Sequence, residues 1–167
     1  KNYKKLNDLI DTYINVEDNY LIFYFKSTIF EKNNNLEKQI FFLKKTININ
    51  KNFWEAYEKL INLYEKLNRI NDMSDIITLA KKNFTNNEKI KIYYALFLFR
   101  SNDIEEAHNQ LNFIELEKEF NKLPNKTYLI NLYDLVSKIY LGKKNYKLSL
   151  KYALQRNTIS INIYENK

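Results

Sequence analysis

The sequence predicts an all-α fold, and three features of the chain support that prediction. Only one Gly and one Pro occur among the 167 residues, whereas sheet proteins and α/β enzymes need many turns that draw on those two residues. Apolar residues recur at helical spacing before and after short polar breaks. The breaks themselves recur at a regular interval. Helices joined by short polar loops are the fold class that fits these features.

The polar breaks divide the chain into helix hairpins. Taking one residue in each break as equivalent gives Asn34, Asn68, Asn102 and Lys144, at intervals of 34, 34 and 42 residues. Two successive intervals of 34 indicate a repeat. Each break separates two helices, and each helix carries one apolar stripe. The stripe before the second break is Tyr57, Leu60, Ile61 and Tyr64, and the stripe after the third break is Ile104, Ala107, Leu111 and Ile114.

The ends of the chain and the long third interval extend this pattern. Residues 1–16 carry a further helical stripe and are interpreted as an extra helix. The eight additional residues of the third interval are close to two helical turns of about 3.6 residues. We place them in two lengthened helices, 103–120 and 125–142. No polar capping helix follows Ile163, whereas repeat arrays need one at each end, so either the chain continues or this end meets a partner.

The turns resemble those of the tetratricopeptide repeat family. That family's 34-residue hairpin has aromatic residues and one small residue in its first helix. Its turn is followed by an aromatic or aliphatic residue and, three residues later, by an alanine. The small position holds Ser27, Ala95 and Ser137, with Ile61 in the second hairpin. Two segments match this turn. The first is Asn102-Asp103-Ile104-Glu105-Glu106-Ala107. The second is Leu141-Gly142-Lys143-Lys144-Asn145-Tyr146, which is followed by Ser149 at the alanine position.

The resemblance implies a right-handed superhelix, or solenoid, of about four hairpins. They would span about 20–53, 54–87, 88–129 and 130–163, with the helix 1–16 in front, so that residues 1–167 form a single repeat domain. Because the sequence starts without Met, we expect the domain to belong to a longer protein. Ala107 is expected at the close contact between the two helices of its hairpin.

The residue types that catalysis and metal binding require are scarce. The chain has no Cys, which excludes disulfides and thiol chemistry. His108 is the only histidine; with Glu105 it could form half of a metal site, but no second His or Cys completes the set. A single Gly excludes the usual glycine-rich phosphate loops. We therefore predict that the protein is not an enzyme and needs no metal and no cofactor.

Charge and hydropathy bear on the remaining partner classes. A formal charge of +7 indicates attraction to acidic partners, although the Lys-rich composition of an AT-rich genome would produce the same value. The Lys residues are interleaved with Asp and Glu, so an RNA-binding helical repeat is only the weaker alternative. No apolar stretch approaches the roughly 18 residues of a membrane span. The sequence is compatible with a cytoplasmic or a periplasmic location, and a segment outside this chain could tether the domain to a membrane.

What remains is recognition of another protein or peptide. The first helix of each hairpin is predicted to turn one side to the hollow of the superhelix, and that side is apolar in the first and third hairpins and polar in the second. Such a groove suits a partner segment with apolar anchors and a polar backbone. The alternative is that Phe25, Ile92 and Leu96 simply pack against neighbouring helices. The predicted groove residues are Tyr24, Phe25, Lys59, Asn62, Lys89, Tyr93, Leu96 and Arg100.

The resemblance also bears on the kind of partner. The family's best-known site clamps the C-terminal carboxylate of chaperones with Lys, Asn and Arg side chains on three first helices, and of the matching positions here only Lys89 agrees. We therefore expect a scaffold or adaptor that holds, and thereby stabilises, another partner protein. A peptide-sensing domain of a larger regulator is the alternative. Neither interpretation requires a small-molecule substrate.

Overall fold

The computed structural model describes residues 19–85, 87–111, 113–123 and 126–165. Every regular element in these residues is a helix, which confirms the all-α class. The chain divides into two compact units, the first ending at Phe84 and the second beginning at Thr85. The extra helix predicted for residues 1–16 lies outside the described residues.

The first unit contains two helix hairpins. The first hairpin pairs α1 with α2, the second pairs α3 with α4, and α2 also packs against α3. Each helix therefore buries one side against a neighbour within the unit. The four helices are α1 (Tyr20–Lys32), α2 (Leu36–Ile49), α3 (Trp54–Lys66) and α4 (Ile70–Asn83).

Aromatic and aliphatic side chains from α2, α3 and α4 form the core of this unit. The amide of Asn83 donates a hydrogen bond of 2.7 Å to the hydroxyl of Tyr57, which pairs the polar atom of a buried ring. Trp54, the only tryptophan, is buried and lies edge-on to Phe84 with 5.5 Å between ring centroids. The fully buried side chains include Leu43, Tyr57, Leu60, Ile61, Tyr64, Met73 and Ile77.

The second unit begins with a hairpin of α5 and α6 and ends with a hairpin of α8 and α9. The helix α7 lies between them in sequence and packs on α8, which also contacts α5 and α6. The core residues Leu116, Leu129, Leu132 and Ile139 come from α7 and α8. The helices are α5 (Glu88–Arg100), α6 (Ile104–Gln110), α7 (Phe113–Lys122), α8 (Thr127–Gly142) and α9 (Tyr146–Glu165).

The four turns inside the hairpins share one backbone geometry. Among the described residues, the non-glycine positions with positive φ are Asn34 at 53°, Asn68 at 55°, Asn102 at 66° and Lys144 at 57°. These are the four positions that the sequence aligned. In each turn the next residue's N–H donates to a carbonyl five residues earlier, as Asn35 does to Phe30 at 2.9 Å. The four hairpins therefore end their first helices in the same Schellman motif.

Three of these turns also share a cap on the second helix. The side chains of Asn35, Asp103 and Asn145 each accept a hydrogen bond from the backbone N–H three residues later. In the second hairpin Arg69 takes this position and instead donates to Asp72 of the same first turn, at 2.8 Å. A capping side chain satisfies a backbone donor that the helix start leaves open.

Small residues are buried between paired helices in the second unit. Ala95 and Ala107 are completely buried on the paired helices α5 and α6. In the last hairpin, the hydroxyl of Ser137 donates to the carbonyl of Ser149 at 2.9 Å, so the backbone of α9 lies within reach of a short side chain of α8. The alignment of the turns predicts a small side chain at two positions of a hairpin, one on each helix, and these residues occupy them.

The predicted continuous helix 103–120 is wrong. The chain forms α6, leaves helical geometry at Leu111, where φ is −89° and ψ is 99°, and resumes as α7. The break gives the two pieces different main partners, although α6 also contacts α8. The piece α6 buries Ala107 and packs on α5, whereas α7 buries Leu116 and Phe120 and packs on α8. The second lengthened helix is present as α8.

Candidate functional site

The structure distributes the eight predicted groove residues over both units. Tyr24 and Phe25 lie on α1 and Lys59 and Asn62 on α3, all in the first unit. The other four lie on α5 of the second unit. A single groove across all eight residues stays a prediction. The α5 residues are Lys89, Tyr93, Leu96 and Arg100.

On α5, Tyr93 and Leu96 are less accessible than the groove prediction requires, whereas Arg100 is exposed. Tyr93 is only 3% exposed, as is Ile92, so neither side chain presents a surface to solvent. Leu96 is half-buried, and the ammonium of Lys89 lies 4.3 Å from the ring centroid of Tyr128. This is the packing that the alternative interpretation predicted for Ile92. Its physical reason is the nearly continuous apolar sequence of α5, since a helix that is apolar all round is buried.

In the first unit, a cavity of about 280 Å³ adjoins the turn between α1 and α2. It contains two of the predicted groove residues, Lys59 and Asn62, on the side of α3. On the opposite side, the cavity is lined by the turn residue Asn34 and by the buried amide of Gln39, both from the hairpin of α1 and α2. The full lining is Glu31, Asn34, Leu36, Gln39, Lys59, Asn62, Leu63 and Lys66.

Lys59 connects α3 to α1 at the edge of this cavity. Its ammonium lies 2.8 Å from a carboxylate oxygen of Glu31 and 3.0 Å from the hydroxyl of Thr28. The same nitrogen lies 5.1 Å from the ring centroid of Tyr24. Because the ion pair of Lys59 and Glu31 is partly exposed, it stabilises the fold by no more than about 1 kcal/mol. The main effect of these contacts is to fix where the positive charge lies.

Tyr24 continues the site along α1. Its ring meets Phe53 edge-on at 4.9 Å between centroids and lies 6.4 Å from Phe25. Burial raises the pKa of the Tyr24 hydroxyl, and the carboxylates of Glu55 and Glu31 raise it further. The hydroxyl is therefore protonated at neutral pH and is able to donate a hydrogen bond.

Exposed apolar side chains border the polar part of the site. Phe25 is 56% exposed and Leu21 is 39% exposed, and they lie four residues apart on one face of α1. We call this combined surface the α1–α3 site. It consists of the cavity lining together with Leu21, Tyr24, Phe25 and Thr28.

Sequence reasoning found part of this site and missed the rest. It identified the first-helix residues Tyr24, Phe25, Lys59 and Asn62, because the resemblance directs attention to first helices. It missed the contribution of the turn and of α2, which supplies Gln39. The available signal was the type of that residue, since a long amide stands at the position where Ala107 stands in the third hairpin.

The only histidine takes part in a structural contact. The ring of His108 meets Tyr140 edge-on, with 3.4 Å between the His108 Nε2 and the Tyr140 hydroxyl. Glu105 pairs with Lys143 at 2.7 Å, and the hydrogen bond from Lys143 lowers the pKa of Glu105. Within the described parts of the chain, no group of three His, Asp or Glu side chains could hold a metal ion. No described helix is both long enough and apolar enough to span a membrane.

Comparisons with known proteins supply no relative. The tetratricopeptide resemblance therefore depends on the turn residues and small positions of this chain alone. No family model matches the sequence, and no curated protein or solved structure matches it.

Proposed function

We propose that the protein is a non-catalytic interaction module built from tetratricopeptide-type hairpins. Its first unit binds a segment of a partner protein at the α1–α3 site, and the protein serves as a scaffold or stabilising adaptor for that partner. The observation that supports this function best is the polar cavity on the same unit as the exposed ring of Phe25 on α1. The right-handed superhelix that the resemblance implies stays a prediction.

The chemistry of the α1–α3 site suits a peptide chain. The amides of Asn34, Gln39 and Asn62 can each donate and accept hydrogen bonds, as a peptide backbone does. The ammonium groups of Lys59 and Lys66 can donate to carbonyl or carboxylate oxygens. The exposed apolar residues of α1 would bury a partner side chain, and aromatic anchors of this kind contribute most of the affinity at many interfaces.

The size of the cavity is compatible with a side chain of a bound peptide. At about 280 Å³ it lies just below the range of roughly 300–1,000 Å³ that small-molecule pockets occupy. The space accommodates one or two side chains of a bound segment. The rest of that segment would lie along α1, over Phe25.

A peptide display selection against the full chain tests this function. Peptides enriched on the wild-type protein should lose about tenfold or more in affinity for Phe25→Ala, because that change removes an exposed anchor. They should also bind Lys66→Glu less well, because the substitution reverses a charge at the cavity. Fluorescence anisotropy with labelled peptides measures both changes.

Matched controls lie in the same unit. Phe41 is 52% exposed on α2 and does not line the cavity, so Phe41→Ala should leave the affinity unchanged. Lys51→Glu makes the same charge reversal at an exposed residue between the two hairpins. If the selected peptides respond equally to Phe25→Ala and Phe41→Ala, the α1–α3 site is not where they bind.

A further inference from the structure

The outer side of α9 is apolar although it is exposed. Tyr146, Leu150, Leu154 and Ile161 are 54% to 65% exposed. At about 100° per residue, their spacing places all four within roughly 80° of the helix circumference. They form a narrow row in which the exposed polar residue Asn157, at about 20°, separates Leu154 from Ile161, and we call it the α9 row.

The inner side of α9 already makes the contacts that the hairpin needs. The backbone carbonyl of Ser149 accepts a hydrogen bond from Ser137, and Tyr152 is buried. Arg156 donates to Asp134 of α8 at 2.5 Å. These inner residues point away from the α9 row, so packing against α8 does not account for the apolar row on the outside. Clustered exposed apolar residues such as Tyr146, Leu150 and Leu154 mark interaction surfaces.

The two flanks of the α9 row differ. Lys147 and Lys151 follow the row on one side at about 100° and 140° from Tyr146, and both are exposed. Neither forms an ion pair within the described part of the chain, and the ammonium of Lys151 lies 5.2 Å from the ring centroid of Tyr152. On the other side lie Ala153 and Ser160, which are partly buried and lead towards the contact with α8. An element lying along the row would therefore meet positive charge on the flank that faces away from α8.

We propose that the α9 row binds an amphipathic helix of a partner protein whose apolar stripe is flanked by Asp or Glu. The charge of Lys147 and Lys151 selects the acidic flank, since opposite charges across an interface set orientation and exclude wrong partners. The narrowness of the row fits the seam between two helices. A helix that inserts into a lipid surface instead presents a broad apolar face with aromatic residues. This second surface lies in the second unit and does not depend on the α1–α3 site.

Two synthetic peptides test the proposal with the full chain. Both form amphipathic helices with the same Leu stripe, and they differ only in carrying Glu or Lys beside it. The Glu peptide should bind, and the Lys peptide should bind about tenfold or more weakly, as measured by fluorescence anisotropy. The double substitution Leu150→Ser and Leu154→Ser should lower the affinity for the Glu peptide by about tenfold or more. Its thermal melt should match the wild type, because both side chains are exposed.

Charge reversal provides the decisive comparison. The double substitution Lys147→Glu and Lys151→Glu should reverse the preference, so that the Lys peptide binds more tightly than the Glu peptide. Phe25→Ala should leave binding of the Glu peptide unchanged, which separates failure of this proposal from failure of the α1–α3 site.

Three outcomes would overturn the proposal. The first is equal affinity for the two peptides, or affinity that the Ser substitutions do not change. The second is co-sedimentation of the wild type with phosphatidylserine vesicles that the Ser substitutions abolish, which would assign the row to a membrane surface. The third is a wild-type dimer in sedimentation velocity that the same substitutions dissociate, which would assign the row to a second copy.

Discussion

None of the four turn residues with left-handed backbone conformation is a glycine. Asparagine tolerates this conformation better than other residues because its short side chain bonds locally, so Asn34, Asn68 and Asn102 cost little. Lys144 has no such compensation. These positions could be predicted from sequence because the hairpin turn demands one left-handed residue and the break spacing indicated which one it is.

Lys144→Gly should therefore stabilise the protein. At a φ of 57° the Lys144 side chain clashes with the backbone, and glycine removes that clash. Glycine also raises the entropy of the unfolded chain, which offsets part of the effect. The free energy of unfolding should therefore rise by about 0.5–1 kcal/mol. Urea unfolding followed by circular dichroism measures the change. Lys151→Gly is the matched control, since the same substitution in the middle of α9 should destabilise the protein by about 1 kcal/mol. Destabilisation by both changes would contradict the left-handed geometry at Lys144.

Ala107 is expected to lie where the helices of its hairpin leave little room for a larger side chain. It is completely buried on α6. Ala107→Trp should overpack the contact and cost about 1–3 kcal/mol, measured as a lower midpoint of thermal unfolding. Asn109→Trp places the same residue at an exposed position of the same helix and should change stability by no more than about 0.5 kcal/mol. Equal melting curves for wild type and Ala107→Trp would show that the site is not tightly packed.

At the scale of elements, the hairpins could be predicted and the break between α6 and α7 could not. The apolar residues Ile104, Ala107, Leu111 and Ile114 continue at helical spacing across the break, so periodicity alone gives one helix. The local sequence offers only a weak signal, the poor helix propensity of the Asn residues beside Leu111. The break is decided by which helix each piece packs on, which is a tertiary effect. The same limit applied to Tyr93, whose burial depends on its neighbours and not on its helix alone.

The last two helices are linked by a carboxylate. Asp134 of α8 accepts hydrogen bonds from Lys138 at 2.6 Å and from Arg156 of α9 at 2.5 Å. Burial of Asp134 opposes its ionisation, but the hydrogen bonds from Lys138 and Arg156 outweigh burial and lower its pKa. A lowered pKa in the folded state stabilises the fold at any pH above the ordinary value of 3.8. That stability is lost as the pH falls below this value through the folded-state pKa.

Asp134→Asn should thus destabilise the protein at neutral pH by about 0.5–1 kcal/mol, the usual range of a partly exposed ion pair. The difference from wild type should shrink as the pH is lowered below the ordinary Asp value, as followed by urea unfolding at several pH values. Arg156→Gln should remove part of the same pH dependence, and the double variant should be less unstable than the sum of the two changes. A difference that stays constant with pH would contradict the lowered pKa.

At the scale of the whole molecule, each unit has its own hydrophobic core. Leu60 is fully buried in the first unit and Leu132 in the second. Leu60→Ala should destabilise its surroundings by about 2–5 kcal/mol and speed amide hydrogen exchange mainly in α1–α4. Leu132→Ala should do so mainly in α5–α9. Hydrogen exchange with mass spectrometry gives both maps, and a uniform change over the whole chain in both variants would show a single cooperative unit.

The position of the only tryptophan has an optical consequence. Because Trp54 lies against Phe84 within the first unit, its emission spectrum reports the unfolding of that unit alone, whereas the far-ultraviolet signal of the helices reports both. Followed by these two probes, a single denaturation experiment tells whether the chain melts in one step or two. The native sequence thus contains a fluorophore that distinguishes its two halves without any label.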